Sequence, residues 1–190
     1  MPVSKAADDY LEQGWAVVPV ARGDKNPTAK GWPKLAAERA FAPEDFHGAN
    51  VGVLLGPVSK GLVDIDLDSP NAIELAEYFL PATRTFGRKS KRASHWLYYA
   101  KGARSDALPF GPLPKKGSKE KRELVEIRAQ NKGDDNCSHQ SVFPGSVHES
   151  GEKVQWDNDE EIATVDAGEL AWAVARLACA SALLPDWSEG

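Results

Sequence analysis

Short apolar runs separated by polar turns dominate the first third of the chain. Residues 15–20 and 50–56 are apolar and rich in strand-forming side chains, and each run ends at a turn. Residues 61–66 form a third run after a short turn, so the second and third runs predict a hairpin. Residues 6–13 and 167–184 space their apolar side chains at helical intervals instead. The pattern therefore predicts strands that alternate with helices.

The following segment adds strands and one long polar stretch. Residues 83–86 and 95–99 are aromatic and β-branched, which predicts two strands joined by a basic turn. Residues 123–128 alternate charged and apolar side chains, the pattern of a half-buried strand, and residues 140–144 look like its neighbour. Residues 101–121 are rich in Gly, Pro, Ser and Lys without periodicity, which predicts a long mobile loop. Interleaved strands and helices without an internal repeat indicate an α/β or α+β fold.

The composition restricts the class of protein. A chain of 190 residues suits one domain, residues 1–190, and no apolar run approaches the roughly 20 residues that cross a bilayer. The first residues lack the pattern of a signal peptide, so we expect a soluble protein of the cytoplasm. Cys137 and Cys179 form no disulfide or zinc pattern. The net charge of −5 limits nucleic-acid contact to local basic stretches, such as residues 84–92 and 115–122.

A pair of carboxylates marks the third apolar run. Side chains alternate along a strand, so Asp64 and Asp66 project from one face and their apolar neighbours from the other. Two such carboxylates repel each other unless a cation such as Mg²⁺ or Mn²⁺ lies between them. In the alternative interpretation, Asp66 and Asp68 only solvate the strand end and cap a helix that begins after Ser69. That alternative is favoured for Asp68 and disfavoured for Asp64, whose neighbours are apolar.

Further polar residues could complete a site around this pair. Glu126 on another predicted strand could supply a third carboxylate, and Glu123 or Asp134 could replace it. Arg92 and His95 at the end of the basic turn could contact a polyphosphate, although a purely structural histidine is an equally good interpretation.

Six blocks, in order over about 150 residues, resemble the N-terminal domain of bifunctional primase–polymerases. This domain accompanies phage and plasmid replication helicases and belongs to the archaeo-eukaryotic primase superfamily. The blocks are residues 14–19 with 25–27 and 31–32, residues 50–56, residues 62–66, residues 94–99, residues 125–128, and residues 140–151 followed by Trp156. Three positions depart from the family's pattern: Glu126 stands where Asp is common, Gly145 where a second Pro is usual, and Ala93 where Gly is frequent.

The resemblance implies a fold, a reaction and a set of site residues. The fold is α+β, with an RRM-like catalytic sheet beside a smaller N-terminal α/β lobe. The expected catalytic residues are Asp64, Asp66, Glu126 and His95, of which the three carboxylates hold Mg²⁺ or Mn²⁺. The expected nucleotide-binding residues are Arg92, Ser94 and His95, with His139 and Lys25 as further candidates.

The implied reaction is template-directed nucleotide addition by two-metal phosphoryl transfer. Its partners are a single-stranded or primed DNA template, nucleoside triphosphates and a helicase that is fused or associated, so the chain could be part of a longer primase–helicase. Two other functions stay open. A metal-dependent nuclease also uses paired acids, but it degrades DNA without nucleotides. A non-catalytic replication-initiator module would bind DNA without metal and incorporate nothing.

Overall fold

The computed structural model of the protein describes residues 3–108, 125–131 and 139–184. These residues form four α-helices: α1 (Val3–Glu12), α2 (Trp32–Ala37), α3 (Pro70–Phe79) and α4 (Ala167–Leu183). They also form ten strands: β1 (Val17–Val20), β2 (Asn50–Leu54), β3 (Leu62–Leu67), β4 (Thr85–Arg88), β5 (Lys91–Tyr99), β6 (Asp106–Leu108), β7 (Val125–Arg128), β8 (Gln140–Val142), β9 (Gln155–Trp156) and β10 (Ala163–Thr164). Within the described ranges, no helix is both long and apolar enough to cross a bilayer.

The strands form two sheets that are antiparallel apart from one short pairing. The larger sheet has the strand order β6–β7–β3–β5–β4–β9, and β10 adds a short parallel pairing to the end of β5. The smaller sheet has the order β1–β2–β8. Strand β3 therefore lies inside the larger sheet, between β7 and β5. The mixed helix and sheet content confirms the expected α+β class.

The core of the larger sheet has two sides because side chains alternate along its strands. Val63, Ile65 and Leu67 of β3 are fully buried against α3 and α4. Fully burying a side chain of this kind stabilises the fold by about 1.5–3 kcal/mol. The opposite side of the sheet packs Phe86 and Leu97 against the small sheet and an aromatic cluster. Asp64 and Asp66 belong to this second side, between the two sheets.

Two predicted strand pairings are wrong. Strands β2 and β3 do not form a hairpin, since they lie in different sheets and meet only through an isolated bridge between Gly56 and Leu62. Positive φ angles at Gly56 (84°), Lys60 (62°) and Gly61 (80°) turn the chain sharply, and β3 leaves in a new direction. Strand β8 pairs with β2 rather than with β7. Runs that are buried on both faces carry no periodic signal that identifies their partner.

The predicted loop and the basic turn also need correction. Strand β6 lies within the segment predicted as a loop and pairs with β7, but three residues are too few to show a period. Strand β5 begins at Lys91, so the last basic residues of the predicted turn belong to the strand. Residues 109–121 of the predicted loop, the basic stretch 115–122 and the alternative acids Glu123 and Asp134 lie outside the described residues, as does Cys137.

Candidate active site

Three acidic and basic side chains lie in line across the larger sheet. In the strand register, Glu126 of β7 is opposite Asp66 of β3, and Asp66 is opposite His95 of β5. Phe86 of β4 continues the line beyond His95. Directly opposed residues of antiparallel strands have Cβ atoms about 4.5–5.5 Å apart, so their side chains interact. Asp64 and Arg128 form the next pair of opposed residues on the same face, and we call Asp64, Asp66, His95, Glu126 and Arg128 the charged row.

Asp64 is the most deeply buried member of the charged row, with no exposed surface. Its Oδ1 and Oδ2 both lie 3.1 Å from His95 Nδ1, and the Ser141 hydroxyl donates to Oδ2 at 2.6 Å. Burial alone would raise the pKa of Asp64, but His95, Arg128 and the Ser141 hydrogen bond hold this pKa below its ordinary value. Because Ser141 belongs to β8, this carboxylate also connects the two sheets.

His95 is held by an aromatic ring on one face and by a carboxylate at Nδ1. The ring stacks on Phe86 with centroids 4.4 Å apart and an angle of 4° between the planes. The proximity of Nδ1 to a carboxylate assigns a proton to Nδ1, while Nε2 lies 3.8 Å from Asp66 Oδ1. Burial would lower the pKa of His95, but the charges of Asp64 and Asp66 outweigh it and raise this pKa above its ordinary value. The arrangement therefore favours the imidazolium form.

Arg128 joins the other two carboxylates of the charged row. Its Nη2 lies 2.7 Å from Asp66 Oδ2, and its Nε donates to Glu126 Oε2 at 2.9 Å. Burial would lower the pKa of Arg128, but Asp66, Asp64 and Glu126 outweigh it and hold this pKa above its ordinary value. Hydrogen bonds between charged partners are about twice as strong as neutral ones. The positive charge of this guanidinium therefore offsets the negative charges of Asp66 and Glu126.

A cavity of about 300 Å³ opens over the charged row. Asp66, His95 and Arg128 are among the residues that line it. Its lining also includes three cationic side chains that we call the basic rim, and they are Lys25, Arg88 and Lys91. Carboxylates in the floor can hold a cation, and cations around the rim can hold an anion such as a polyphosphate.

The structure brings some predicted nucleotide-binding residues to the cavity and places others outside its lining. Lys25 lines the cavity and pairs with Glu149 at 3.4 Å. Ser94 also lines it, and its hydroxyl donates to the Lys91 backbone carbonyl at 3.1 Å. Arg92 is absent from the lining, because its guanidinium pairs with Asp157.

His139 also lies outside the cavity lining, immediately before β8. Its backbone carbonyl accepts a hydrogen bond from the Leu55 amide. Burial lowers the pKa of His139, and the charges of Glu126 and Arg128 act on this pKa in opposite directions. The side chain is therefore near the charged row without facing the cavity.

Two of the three departures from the family's pattern occur at positive φ. Ala93 has φ 47° and Gly145 has φ 97°. The first value lies in the left-handed region that Gly adopts without strain, which is consistent with the Gly that the resemblance leads us to expect at the position of Ala93. Proline is locked near φ −65°, so the backbone at Gly145 could not accommodate one.

Sequence reasoning missed Arg128 and Ser141. Arg128 had a usable signal, since it lies two residues after Glu126 and therefore shares its face of the strand. Ser141 had none, because its contact with Asp64 depends on the smaller sheet packing over the larger one. For Arg88 and Lys91, the sequence gives no signal beyond their membership of a basic stretch.

The donor chemistry of the charged row fits a divalent metal ion, although a guanidinium holds the central position. Carboxylate oxygens are the ligands that Mg²⁺ and Mn²⁺ prefer, and Asp66 and Glu126 each direct one oxygen at the Arg128 guanidinium. Three or more His, Cys, Asp or Glu side chains in a metal-binding arrangement do not occur within residues 3–108, 125–131 and 139–184. Asp66 and Glu126 are thus the residues that would hold an ion, with Asp64 behind them.

Comparison with known proteins agrees with this geometry. No curated protein matches the chain. The family model described as "Bifunctional DNA primase/polymerase, N-terminal" (Prim-Pol) matches residues 7–186, a range that includes both sheets, the charged row and the basic rim. Members of this family are primases and polymerases of DNA replication, which generally use divalent metals. The chain therefore belongs to the Prim-Pol family of bifunctional DNA primases/polymerases.

Proposed function

We propose that this chain is a template-directed nucleotidyltransferase, both DNA primase and DNA polymerase, that acts in phage or plasmid DNA replication. One observation carries the proposal: the charged row brings three carboxylates and an imidazolium together, and its members Asp66, His95 and Arg128 line a cavity whose rim is basic. Transfer of a nucleotide needs this combination, since negative charge must hold cations and positive charge must hold the triphosphate.

The carboxylates Asp66 and Glu126, with Asp64, would hold two Mg²⁺ or Mn²⁺ ions. When bound, such ions lower the pKa of an attacking 3′-hydroxyl and offset the charge of the leaving pyrophosphate. The chain's own contribution is to keep these oxygens in place. Asp64 helps to position Asp66, because its contacts with His95 and Ser141 hold the face of β3 from which Asp66 also projects.

The cations around the cavity would bind the incoming triphosphate. His95 is fixed by Asp64 and Phe86, so it presents Nε2 in one orientation. Arg88 and Lys91 of the basic rim are partly exposed, and their partners Glu152 and Asp68 are acidic side chains that a phosphate could replace. Lys25, which also lines the cavity, is available for the triphosphate or for the template strand.

The family resemblance also supports proposals about the substrates, the helicase partner and the specific type of α+β fold. A single-stranded or primed DNA template and nucleoside triphosphates would be the substrates, and a fused or associated helicase would supply the template strand in the cytoplasm of a bacterial or phage-infected cell. The antiparallel larger sheet, with α3 and α4 on one face and the charged row on the other, supports an archaeo-eukaryotic primase fold with an RRM-like catalytic sheet.

The decisive experiment offers the protein a single-stranded template with labelled deoxynucleotides or ribonucleotides, with and without a primer, in Mg²⁺ or Mn²⁺. We expect wild-type protein to incorporate label, and Asp66→Asn or Glu126→Gln to reduce incorporation by more than about 100-fold. Asp9→Asn is the matched control, because Asp9 pairs with Lys5 on the surface of α1, away from the charged row. Circular dichroism would show that each variant is folded.

The same assay separates the two alternative functions. Degradation of labelled DNA without nucleotides would identify a metal-dependent nuclease. Metal-independent DNA binding without incorporation would identify a replication-initiator module. Undiminished incorporation by folded Asp66→Asn would refute the assigned roles of the carboxylates even if the protein proves to be a polymerase.

A further inference from the structure

The guanidinium of Arg128 lies where a metal ion bound by two members of the charged row would lie. Nη2 and Nε contact Asp66 Oδ2 and Glu126 Oε2 at 2.7 and 2.9 Å. Because Asp66 and Glu126 are directly opposed across two paired strands, their carboxylates would repel each other without a cation between them. Arg128 supplies that cation from within the chain.

Arg128 and a divalent ion compete for the same two carboxylates. The ion would need carboxylate oxygens as ligands, whereas the guanidinium already occupies one oxygen of each carboxylate through charge-assisted hydrogen bonds. Two cations close to one another on two carboxylates would also repel. Metal binding therefore weakens or breaks at least one of the two contacts of Arg128.

Of the two cations in the charged row, Arg128 is the one able to move. His95 is held by both oxygens of Asp64 and by the Phe86 ring. The Arg128 side chain is 23% exposed, lines the cavity and has a long flexible stem. A triphosphate in the cavity would offer Arg128 a second anion within reach, with oxygens that suit its forked donors.

We propose that Arg128 is a resident counter-cation that competes with the divalent ion for Asp66 and Glu126 and transfers to the triphosphate when a nucleotide binds. Only the transfer of Arg128 to the triphosphate rests on the proposed function; the competition with the metal ion does not. It predicts that the free enzyme binds metal weakly and that nucleotide and metal load together. Empty carboxylates would then stay neutralised between rounds of nucleotide addition.

The first measurement is Mn²⁺ binding by electron paramagnetic resonance, with no nucleotide and no DNA. Loss of the two charge-assisted contacts should make Arg128→Gln bind Mn²⁺ about tenfold or more tightly than wild type, with Arg128→Lys in between. Arg104→Gln is the control. Arg104 donates to the Asn131 backbone carbonyl, so its substitution removes one positive charge without changing a contact to a carboxylate of the charged row. We expect it to change the Mn²⁺ affinity by less than about threefold.

The second measurement is nucleotide affinity in the same variants, from the fluorescence of a labelled triphosphate in Ca²⁺ or Mn²⁺. Arg128→Gln should bind the nucleotide more weakly while it binds Mn²⁺ more tightly, an opposition that a merely structural arginine would not produce. Mn²⁺ affinity of Arg128→Gln that is equal to or weaker than that of wild type would overturn the proposal, and Arg128→Lys provides the same test should the glutamine variant not fold.

Nucleotide incorporation by wild type keeps this proposal distinct from the proposed function. If wild type incorporates no nucleotide but Arg128→Gln still gains Mn²⁺ affinity, the polymerase function fails and the competition at Asp66 and Glu126 stands. If wild type incorporates nucleotides and Arg128→Gln gains no Mn²⁺ affinity, the function stands and Arg128 is not the competitor.

Discussion

The charged row and the basic rim both place ionised side chains around one cavity, but they differ in burial and in partners. In the charged row, Asp64 has no exposed surface and its partners come from two sheets. In the basic rim, the Lys25–Glu149 pair has side chains 66% and 56% exposed, while Arg88 and Lys91 are 29% and 21% exposed. Exposed pairs contribute about 0–1 kcal/mol, whereas breaking a buried pair leaves an uncompensated charge. The difference suggests that the charged row fixes geometry and that the basic rim is free to exchange partners.

The largest effect should come from removing Asp64. Asp64→Ala leaves the His95 imidazolium and the Ser141 hydroxyl buried beside a cavity, and we expect the free energy of unfolding to fall by about 3–5 kcal/mol. Urea denaturation followed by circular dichroism, with metal chelated, measures this quantity. Asp9→Ala on the surface of α1 is the control. A loss below about 1 kcal/mol would show that Asp64 is not a structural centre of the charged row.

A smaller effect should appear in the pH dependence of the unfolding free energy, through His95 of the charged row. The pKa of His95 is raised in the folded state, because Asp64 and Asp66 outweigh burial, so its contribution is complete below the ordinary pKa near 6.5. That contribution is lost as the pH rises through the folded-state pKa. We therefore expect the unfolding free energy of wild type to decline above about pH 6.5 relative to that of His95→Gln.

Two controls make this comparison specific. His139 and His148 have lowered pKa values, first through burial, so they add a slope of the opposite sign, which is present in both proteins and cancels in the difference. The lowered pKa of Asp64 affects stability in a different pH range, since the stability that Asp64 contributes is lost only as the pH falls below about 3.9. Parallel curves for wild type and His95→Gln between pH 6 and 9 would contradict the imidazolium assignment.

The sequence predicted the local part of the charged row and missed the part that depends on sheet packing. Alternation along one strand places Asp64 and Asp66 on a common face whatever the strand's neighbours are, and the structure agrees. The contact between Ser141 and Asp64 needed the pairing of β8 with β2, which a fully buried run and a strand of three residues could not reveal. Arg92 illustrates the same limit, since its partner Asp157 lies 65 residues further along the chain.

The smallest effect on stability should come from the basic rim. Lys25→Gln removes an ion pair whose two side chains are mostly exposed, so we expect the unfolding free energy to change by less than about 0.5 kcal/mol. Nucleotide affinity should nevertheless fall, and its dependence on salt should weaken, because Lys25 lines the cavity and loses its charge. Glu149→Gln is the matched control: it breaks the same pair but frees the Lys25 ammonium, so nucleotide affinity should rise or stay constant. Equal losses of affinity in both variants would mean that the ion pair itself shapes the cavity, and the distinction between a fixed charged row and an exchangeable basic rim would then fail.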